Sequence, residues 1–267
     1  MSIPNEGYPL AAAVSPRLQY VETVASTNAK LLHDAAEAPD GHPHLSVLFT
    51  RDQRAGRGRL DRVWTAPPGA ALAISVLLRV GAINIADRGW IPLVAGAAMA
   101  DAVAAQLPGA EVWVKWPNDV LVGPAGAGYE AGARKICGIL AEVVPSDPFA
   151  VVVGAGVNTA MASVDLPVPT ATSFADQGAV ADEDRLLADY LTALRDGIAD
   201  LAVGGHAAVA GRISDRCRTL GADVSVSLPD GETVRGRAAR LDDAGRLVVE
   251  RDGREVVVGA GDVVHVR

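Results

Sequence analysis

Apolar residues recur along the chain at two spacings, every second residue and every three to four, and the exchange between them outlines the elements. Leu45 to Thr50 reads as a buried strand, and Gly69 to Val80 (GAALAISVLLRV) as a longer one. Ala86 to Leu107 has helical spacing, with Leu93, Val94, Met99 and Val103 facing inward. Glu111 to Trp116 predicts a strand, Pro117-Asn118-Asp119 a turn, and Val120 to Gly123 the return strand. After a Gly/Ala/Pro loop from Gly123 to Ala133, Ile136 to Val144 and Phe149 to Val157 predict a hairpin. Near the start, Ser26-Thr27-Asn28 is a helix-start signal ahead of Ala29, Leu31, Leu32 and Ala35. The 25 residues before it read as coil with one extended piece, Leu18 to Thr23. Asp182 to Val203 and His206 to Arg218 predict two helices, with acidic residues 182–184 complementing the dipole of the first.

From Gly221 the spacing shortens to two. Val224–Leu228, Thr233–Leu241, Arg246–Arg251, Glu255–Val258 and Val263–Val266 are short strands, punctuated by Asp230-Gly231, Asp243-Ala244-Gly245 and Asp252-Gly253. The expectation is an α/β (α+β) chain: a mixed-sheet domain over residues 1–218, then a small β-barrel over 219–267.

Composition narrows the class. Hydrophobic residues are 49% of 267 and aromatic residues only 4%, so the core is aliphatic. A formal charge of −8 argues against a general nucleic-acid surface, which needs a basic face. No apolar run is long and clean enough to span a membrane, and Met1 to Gly7 lacks the features of a signal peptide. With only Cys137 and Cys217, and no CxxC pair, the expected compartment is the reducing cytoplasm. Of the 24 basic residues only Lys30, Lys115 and Lys135 are lysines. Arginine-rich drift explains the bias; an alternative is that the lysines sit where a compact ammonium is needed.

Against the acidic background, Thr50 to Trp64 (TRDQRAGRGRLDRVW) holds five arginines, two glycines and a tryptophan. Glycines allow close backbone approach, guanidiniums bind anions in a bidentate way, and an indole offers a flat face. Such a loop suits closure over one anionic ligand; the plain alternative is a solvated surface loop. It is not a Walker loop, because no Gly-Lys-Ser/Thr follows. Ser26-Thr27-Asn28 alone is a helix cap. Lys115-Trp116-Pro117-Asn118-Asp119 alone is an edge-strand turn, and Lys135-x-x-Gly138 alone is a solvated strand start. Cys137 reads as a structural strand residue, and Gly154-Ala155-Gly156-Val157-Asn158 is weak by itself.

In order and spacing, however, the arginine loop, Lys115–Asp119 and Lys135–Glu142 together resemble the biotin protein ligases. Those enzymes use ATP to activate biotin and attach it to a lysine of a carrier domain. The resemblance implies a catalytic domain of the biotin/lipoate ligase type followed by an SH3-like barrel. It implies that Ser26, Thr27 and Asn28 hydrogen-bond the ureido ring of biotin, a neutral group with one carbonyl and two N–H groups. It places Gln53, Gly56, Arg57 and Arg59 around biotin and Trp64 near the adenine, with Arg59 also on the adenylate. It assigns Lys115, Asn118 and Asp119 to the nucleotide side, with Asp119 as a water-mediated Mg²⁺ ligand, and puts Asn158 near the adenine. Lys135, with Gly138 beside it, would contact the biotin carboxylate and the reacting phosphate, offsetting the repulsion of two anions; Lys135, Arg57 and Lys115 are the expected catalytic set. Asp61 departs from the family's usual glycine. With so little chain before Ser26, the resemblance is to the catalytic-only type, lacking a DNA-binding helix-turn-helix. The implied partner is a biotin carboxyl carrier domain, with no nucleic acid and no membrane. The competing readings are a lipoate or octanoate ligase or transferase of the same fold, and a non-catalytic biotin-binding regulator.

Overall fold

The computed structural model describes residues 7–60, 62–126 and 132–265. The signal-peptide reading of the first residues, the departure at Asp61 and the middle of the Gly/Ala/Pro loop lie outside the described residues. The chain folds in the order α1 (Pro9–Val14), β1 (Arg17–Tyr20), α2 (Thr27–Glu37), β2 (Ser46–Thr50), β3 (Gly56–Arg57), β4 (Val63–Trp64), β5 (Ala71–Arg79), α3 (Ile91–Gln106), β6 (Ala110–Lys115), β7 (Asp119–Pro124), β8 (Arg134–Val144), β9 (Asp147–Asn158), α4 (Glu183–Gly204) and α5 (Ala207–Arg216). Five strands follow: β10 (Asp223–Ser227), β11 (Thr233–Leu241), β12 (Leu247–Arg251), β13 (Arg254–Val258) and β14 (Asp262–His265). The 3₁₀ turn Ile85–Trp90 leads into α3.

Seven strands form one sheet in the order β1-β2-β5-β9-β8-β7-β6. Only β1 and β2 pair in parallel, so the sheet is mixed, as expected. Its central strands are buried on both faces, which is why β5 reads as a continuous apolar run instead of an alternating one. Phe49, Ile74, Val76 and Val153 pack toward α3 and α4; Leu48, Leu77 and Val152 pack toward Leu31 and Ala35 of α2. Helix α3 is apolar on nearly every side because it is buried among sheet, α4 and the C-terminal strands. Its Val94 stands so close to Gly197 of α4 that no Cβ fits there.

The coil expected at the N-terminus contains α1. Six residues are too few to hold a helix by local energetics. Here the carboxylate of Asp184 accepts from Leu10 N at 3.0 Å and Ala11 N at 2.9 Å, capping the helix from α4. Residues 182–184 therefore do more than complement a dipole. Asp182 caps α4 through Arg185 N, while Glu183 accepts from Tyr8 and Thr159 and pairs with Arg51 at 3.3 Å. The arginine loop, expected to be irregular, contains the two-stranded ribbon β3–β4.

The C-terminal strands form an antiparallel sheet in the order β13-β12-β11-β10-β14. No β13–β14 pairing closes it into a complete barrel among the described residues. It docks through its β11–β12 turn. Trp90 Nε1 donates to Asp243 O at 2.8 Å and Trp116 Nε1 donates to Gly245 O at 3.0 Å. Between them a Cβ on Gly89 would run into Ala244 O, and Gly245 has φ +76°, open to glycine at little cost. Residues of both sheets share one apolar core. No helix among the described residues is long and apolar enough to cross a membrane.

Gly89→Ala should wedge this contact apart and cost about 1–3 kcal/mol, as overpacking does. For a chain of this size that is about 2–4 °C in Tm per kcal/mol. An unchanged melting temperature would show that the turn is not a tight dock.

Candidate functional site

Above strands β5, β9 and β8 lies a cavity of about 180 Å³. One end is neutral. Ser26 caps α2, its Oγ accepting from Ala29 N at 3.3 Å, and the three residues Ser26, Thr27 and Asn28 also line the cavity. Thr27 donates from both N and Oγ1 to Gln53 Oε1, at 2.8 and 3.0 Å. Asn28 makes three hydrogen bonds. Its Oδ1 accepts from Ser75 Oγ at 2.6 Å, and its Nδ2 donates to Leu140 O at 3.2 Å and Glu142 Oε2 at 2.8 Å. Asn28 thus lines the cavity as a strut.

The other end is cationic. Lys135 Nζ lies 2.6 Å from Asp119 Oδ1 and runs along Gly138, which lines the cavity. β7–β8 pairing sets this geometry by placing Asp119 opposite Gly138. Arg59 donates to Asn118 Oδ1 at 3.2 Å and to Gly261 O at 3.4 Å, while Asn118 Nδ2 donates to Ile139 O. Burial holds Arg59 below the usual arginine range despite Asp119 and Asp262. Arg62 forks onto Asp262 at 2.6 and 3.3 Å, and that hydrogen bond holds the Asp262 carboxyl below its ordinary value.

The structure divides the expected set. Ser26, Thr27, Asn28, Gln53, Arg57, Arg59, Trp64, Asn118, Asp119, Lys135 and Gly138 line the cavity. Lys115 does not line it. Its ammonium sits behind the wall, depressed by burial and facing Asp119 and Asp262. Gly56 is buried and does not line the cavity itself; a Cβ there would meet Gln53 Nε2 and Trp64 O at 2.5 Å. Asn158 lies in an adjoining cavity with Trp64 and Thr170, its Nδ2 donating to Thr172 O at 2.8 Å. Cys137 is a structural strand residue; burial pushes its thiol upward.

Asp119 does not form a built metal site. Its carboxylate is paired with Lys135 and stands beside Lys115 and Arg59, and no cluster of three or more His, Cys, Asp or Glu suited to a metal exists among the described residues. A resident Mg²⁺ there would face several cations with one already committed carboxylate.

Several contributors were not expected. Gly154 and Gly156 make the floor: a Cβ on Gly154 would strike the Asn28 amide, and one on Gly156 would stand 2.7–2.9 Å from the Trp64 indole. The G-A-G-V-N run held that signal, although nothing local said what would lie on it. Gly261 and Asp262 bring the C-terminal sheet into the cavity wall. The segment 170–172 crosses beside the key lysine, with Lys135 N donating to Thr170 O and Thr172 N to Lys135 O.

Residues 20–158 match the model of the Biotin/lipoate A/B protein ligase family, and residues 219–266 match that of the Biotin protein ligase C terminal domain. The biotin–[acetyl-CoA-carboxylase] ligase of Mycobacterium tuberculosis is 41% identical, over 94% of this chain and 90% of that protein. The chain belongs to the biotin/lipoate protein ligase family. Among its relatives, the bifunctional ligase/repressor BirA of Escherichia coli is 31% identical, over 86% of this chain and 68% of its own length. The biotin protein ligase from Aquifex aeolicus, solved in complex with biotin and ATP, superposes with a TM-score of 0.76 at 21% identity, covering 94% of this chain and all of that one. At that identity the likeness concerns the ligase fold.

Gly156→Ala should lift the Trp64 indole off the floor. Trp90, Trp113 and Trp116 are buried, so a red shift in tryptophan emission with an intact far-ultraviolet spectrum would report Trp64 leaving. An unshifted spectrum would contradict the stacked floor.

Proposed function

We propose that this chain is an ATP-dependent biotin protein ligase. It joins biotin to the α-phosphate of ATP, releasing pyrophosphate, and passes the biotinyl group to a lysine of a biotin carboxyl carrier domain. The observation that carries this reading is the division of one cavity into a neutral hydrogen-bonding end and a cationic end. A neutral ureido ring suits the Ser26, Thr27 and Gln53 groups, and a carboxylate meeting a phosphate suits Lys135 and Arg59, while Arg57, paired with Glu142, closes the loop over the neutral end. The function of the Mycobacterium tuberculosis relative supports the same reaction. A lipoyl or octanoyl tail offers the neutral end's polar groups nothing to hydrogen-bond. A non-catalytic regulator gives no reason for the Lys135–Asp119 arrangement.

In the first step a biotin carboxylate oxygen attacks the α-phosphorus, forms the mixed anhydride and expels pyrophosphate. Lys135 exchanges Asp119 for the two anions and offsets the charge that grows at phosphorus. Arg59, held by Asn118 and Gly261, is aimed at the same end. Lys115 supports from behind the wall by acting on Asp119 and Asp262. In the second step the carrier lysine's neutral amine attacks the acyl carbon and AMP leaves. Trp64, stacked on Gly156 between the two cavities, separates the biotin side from an adenine side that includes Asn158. Mg²⁺ enters with the triphosphate, whose charge it neutralises, and not as a resident ion.

We place the catalytic unit at 1–218 and the C-terminal unit at 219–267. The latter completes the cationic end through Asp262. The reaction belongs in the cytoplasm, consistent with two free, buried cysteines.

Lys135→Ala should raise the adenylation barrier by roughly 2–4 kcal/mol, as deleting a charge-stabilising donor does; pyrophosphate release with biotin and ATP measures it, and a wild-type rate refutes the assignment. Asp262→Ala should release Arg62 and slow carrier biotinylation while the melting temperature falls by less than about 4 °C, because the pair is largely exposed and adds little stability. Intact-mass analysis of a carrier domain reads the rate; unchanged transfer would remove the C-terminal unit from the site.

A further inference from the structure

Two of the carboxylates at the site, Asp119 and Asp262, hold cations at the anion-binding end. A third, Glu142 in β8, works elsewhere. β7 pairs with β8 only from Arg134 to Gly138, so the edge of β8 beyond it is left to the arginine loop. There Glu142 Oε1 lies 3.0 Å from Arg57 Nη2, and Oε2 lies 3.1 Å from the same nitrogen. Oε2 also accepts from Asn28 Nδ2 at 2.8 Å. Asn28 is in turn fixed by Ser75 and pressed against Gly154. A continuous chain of polar contacts, Ser75–Asn28–Glu142–Arg57, therefore runs from the sheet floor through the neutral end of the cavity to the loop that covers it.

We propose that Glu142 is a positioning residue that latches the arginine loop to the neutral end of the cavity, so that the group orienting Asn28 also holds the loop closed. Every neighbour that Glu142 meets here is a donor. A carboxylate accepts from all of them; a glutamine side chain must turn its own N–H₂ toward one. With the amide oxygen at the Oε2 position, Glu142→Gln retains the Asn28 contact and the 3.1 Å contact to Arg57, but it loses the carboxylate charge and sets N–H₂ against the guanidinium where Oε1 stood. The loop should loosen while the floor stays set. Glu142→Ala removes both contacts, and Asn28 then loses its charged partner too. Because Arg57 is about half exposed (48%), the latch is also open to screening by salt.

The ligand side of this inference rests on the biotin ligase reading, but the latch itself does not. Limited trypsin digestion of the ligand-free full chain, read at Arg57, Arg59 and Arg62, tests the latch whatever the ligand is. In the wild type, cutting should speed up as salt rises. In Glu142→Gln, cutting at Arg57 should be faster by about tenfold at low salt, the scale of one weakened charge-assisted contact, and less sensitive to salt than in the wild type, since only the Arg62–Asp262 pair is left to screen. With biotin and ATP, Glu142→Gln should release the adenylate faster with biotin KM changed less than about threefold. Glu142→Ala should in addition raise biotin KM by about tenfold or more, and kcat for adenylation should stay within about threefold in both. These limits follow from one lost contact against two. Salt-independent cutting of the wild type overturns the latch without reference to any variant, as does a Glu142→Gln loop cut at the wild-type rate. A KM unmoved in Glu142→Ala overturns the link to Asn28. If the digestion results hold and the wild type makes no biotinyl adenylate, the ligase reading falls and the latch stands.

Discussion

Bringing several cations to one end of a small cavity is unfavourable until something neutralises them, and the rest of this molecule is arranged around that constraint. Lys135, Lys115, Arg59 and Arg62 face Asp119 and Asp262. The two acids come from distant parts of the chain, one from the start of β7 and one from the start of β14. In the ligand-free protein they stand where anionic substrates will exert their pull. A ligand that brings its own negative charge competes for these cations, so binding exchanges partners and does not create charge pairs from nothing. The same arrangement explains why Asp119 makes a poor metal ligand and why the C-terminal sheet is part of the site.

The opposite end of the cavity works by geometry. Two glycines of β9 lie under an amide and an indole with no room for a Cβ, and two further tryptophans, Trp90 and Trp116, hold the β11–β12 turn by donating to its carbonyls. Trp116 sits between Lys115 and Asn118. Its buried hydrogen bond to Gly245 therefore ties the Lys115–Asp119 segment to the docking of the C-terminal sheet. Packing and catalysis share these residues, and a change at the dock should be felt at the site.

Much of this was legible in the residues before any coordinates. The strands and helices that form the main sheet and its cover have clear spacing, and the turn at Pro117-Asn118-Asp119 follows from its composition. What was not legible depends on partners far along the chain. Helix α1 exists because Asp184 caps it. The β3–β4 ribbon forms where glycine lets Trp64 come close. Asn28 reads locally as part of a helix start, but three of its hydrogen bonds go to Ser75, Leu140 and Glu142, none of which is near it in sequence. Lys115 belongs to the expected catalytic set; pairing at the β6–β7 turn sets it opposite Asp119, and it does not line the cavity. Asp262 was missed because short antiparallel strands with polar turns look alike wherever they end up.

The scarcity of lysine allows a direct test of the central claim. With only Lys30, Lys115 and Lys135 in the chain, labelled lysine side chains give three resonances, assigned by Lys30→Arg. Lys30 pairs with Asp34 on α2, away from the anion-binding end. On adding biotin with a non-hydrolysable ATP analogue, the signals of Lys135 and Lys115 should both move while that of Lys30 stays. If neither moves, or if Lys30 alone responds, substrate anions do not displace Asp119 and Asp262 at the cationic end, and the account of the site is wrong.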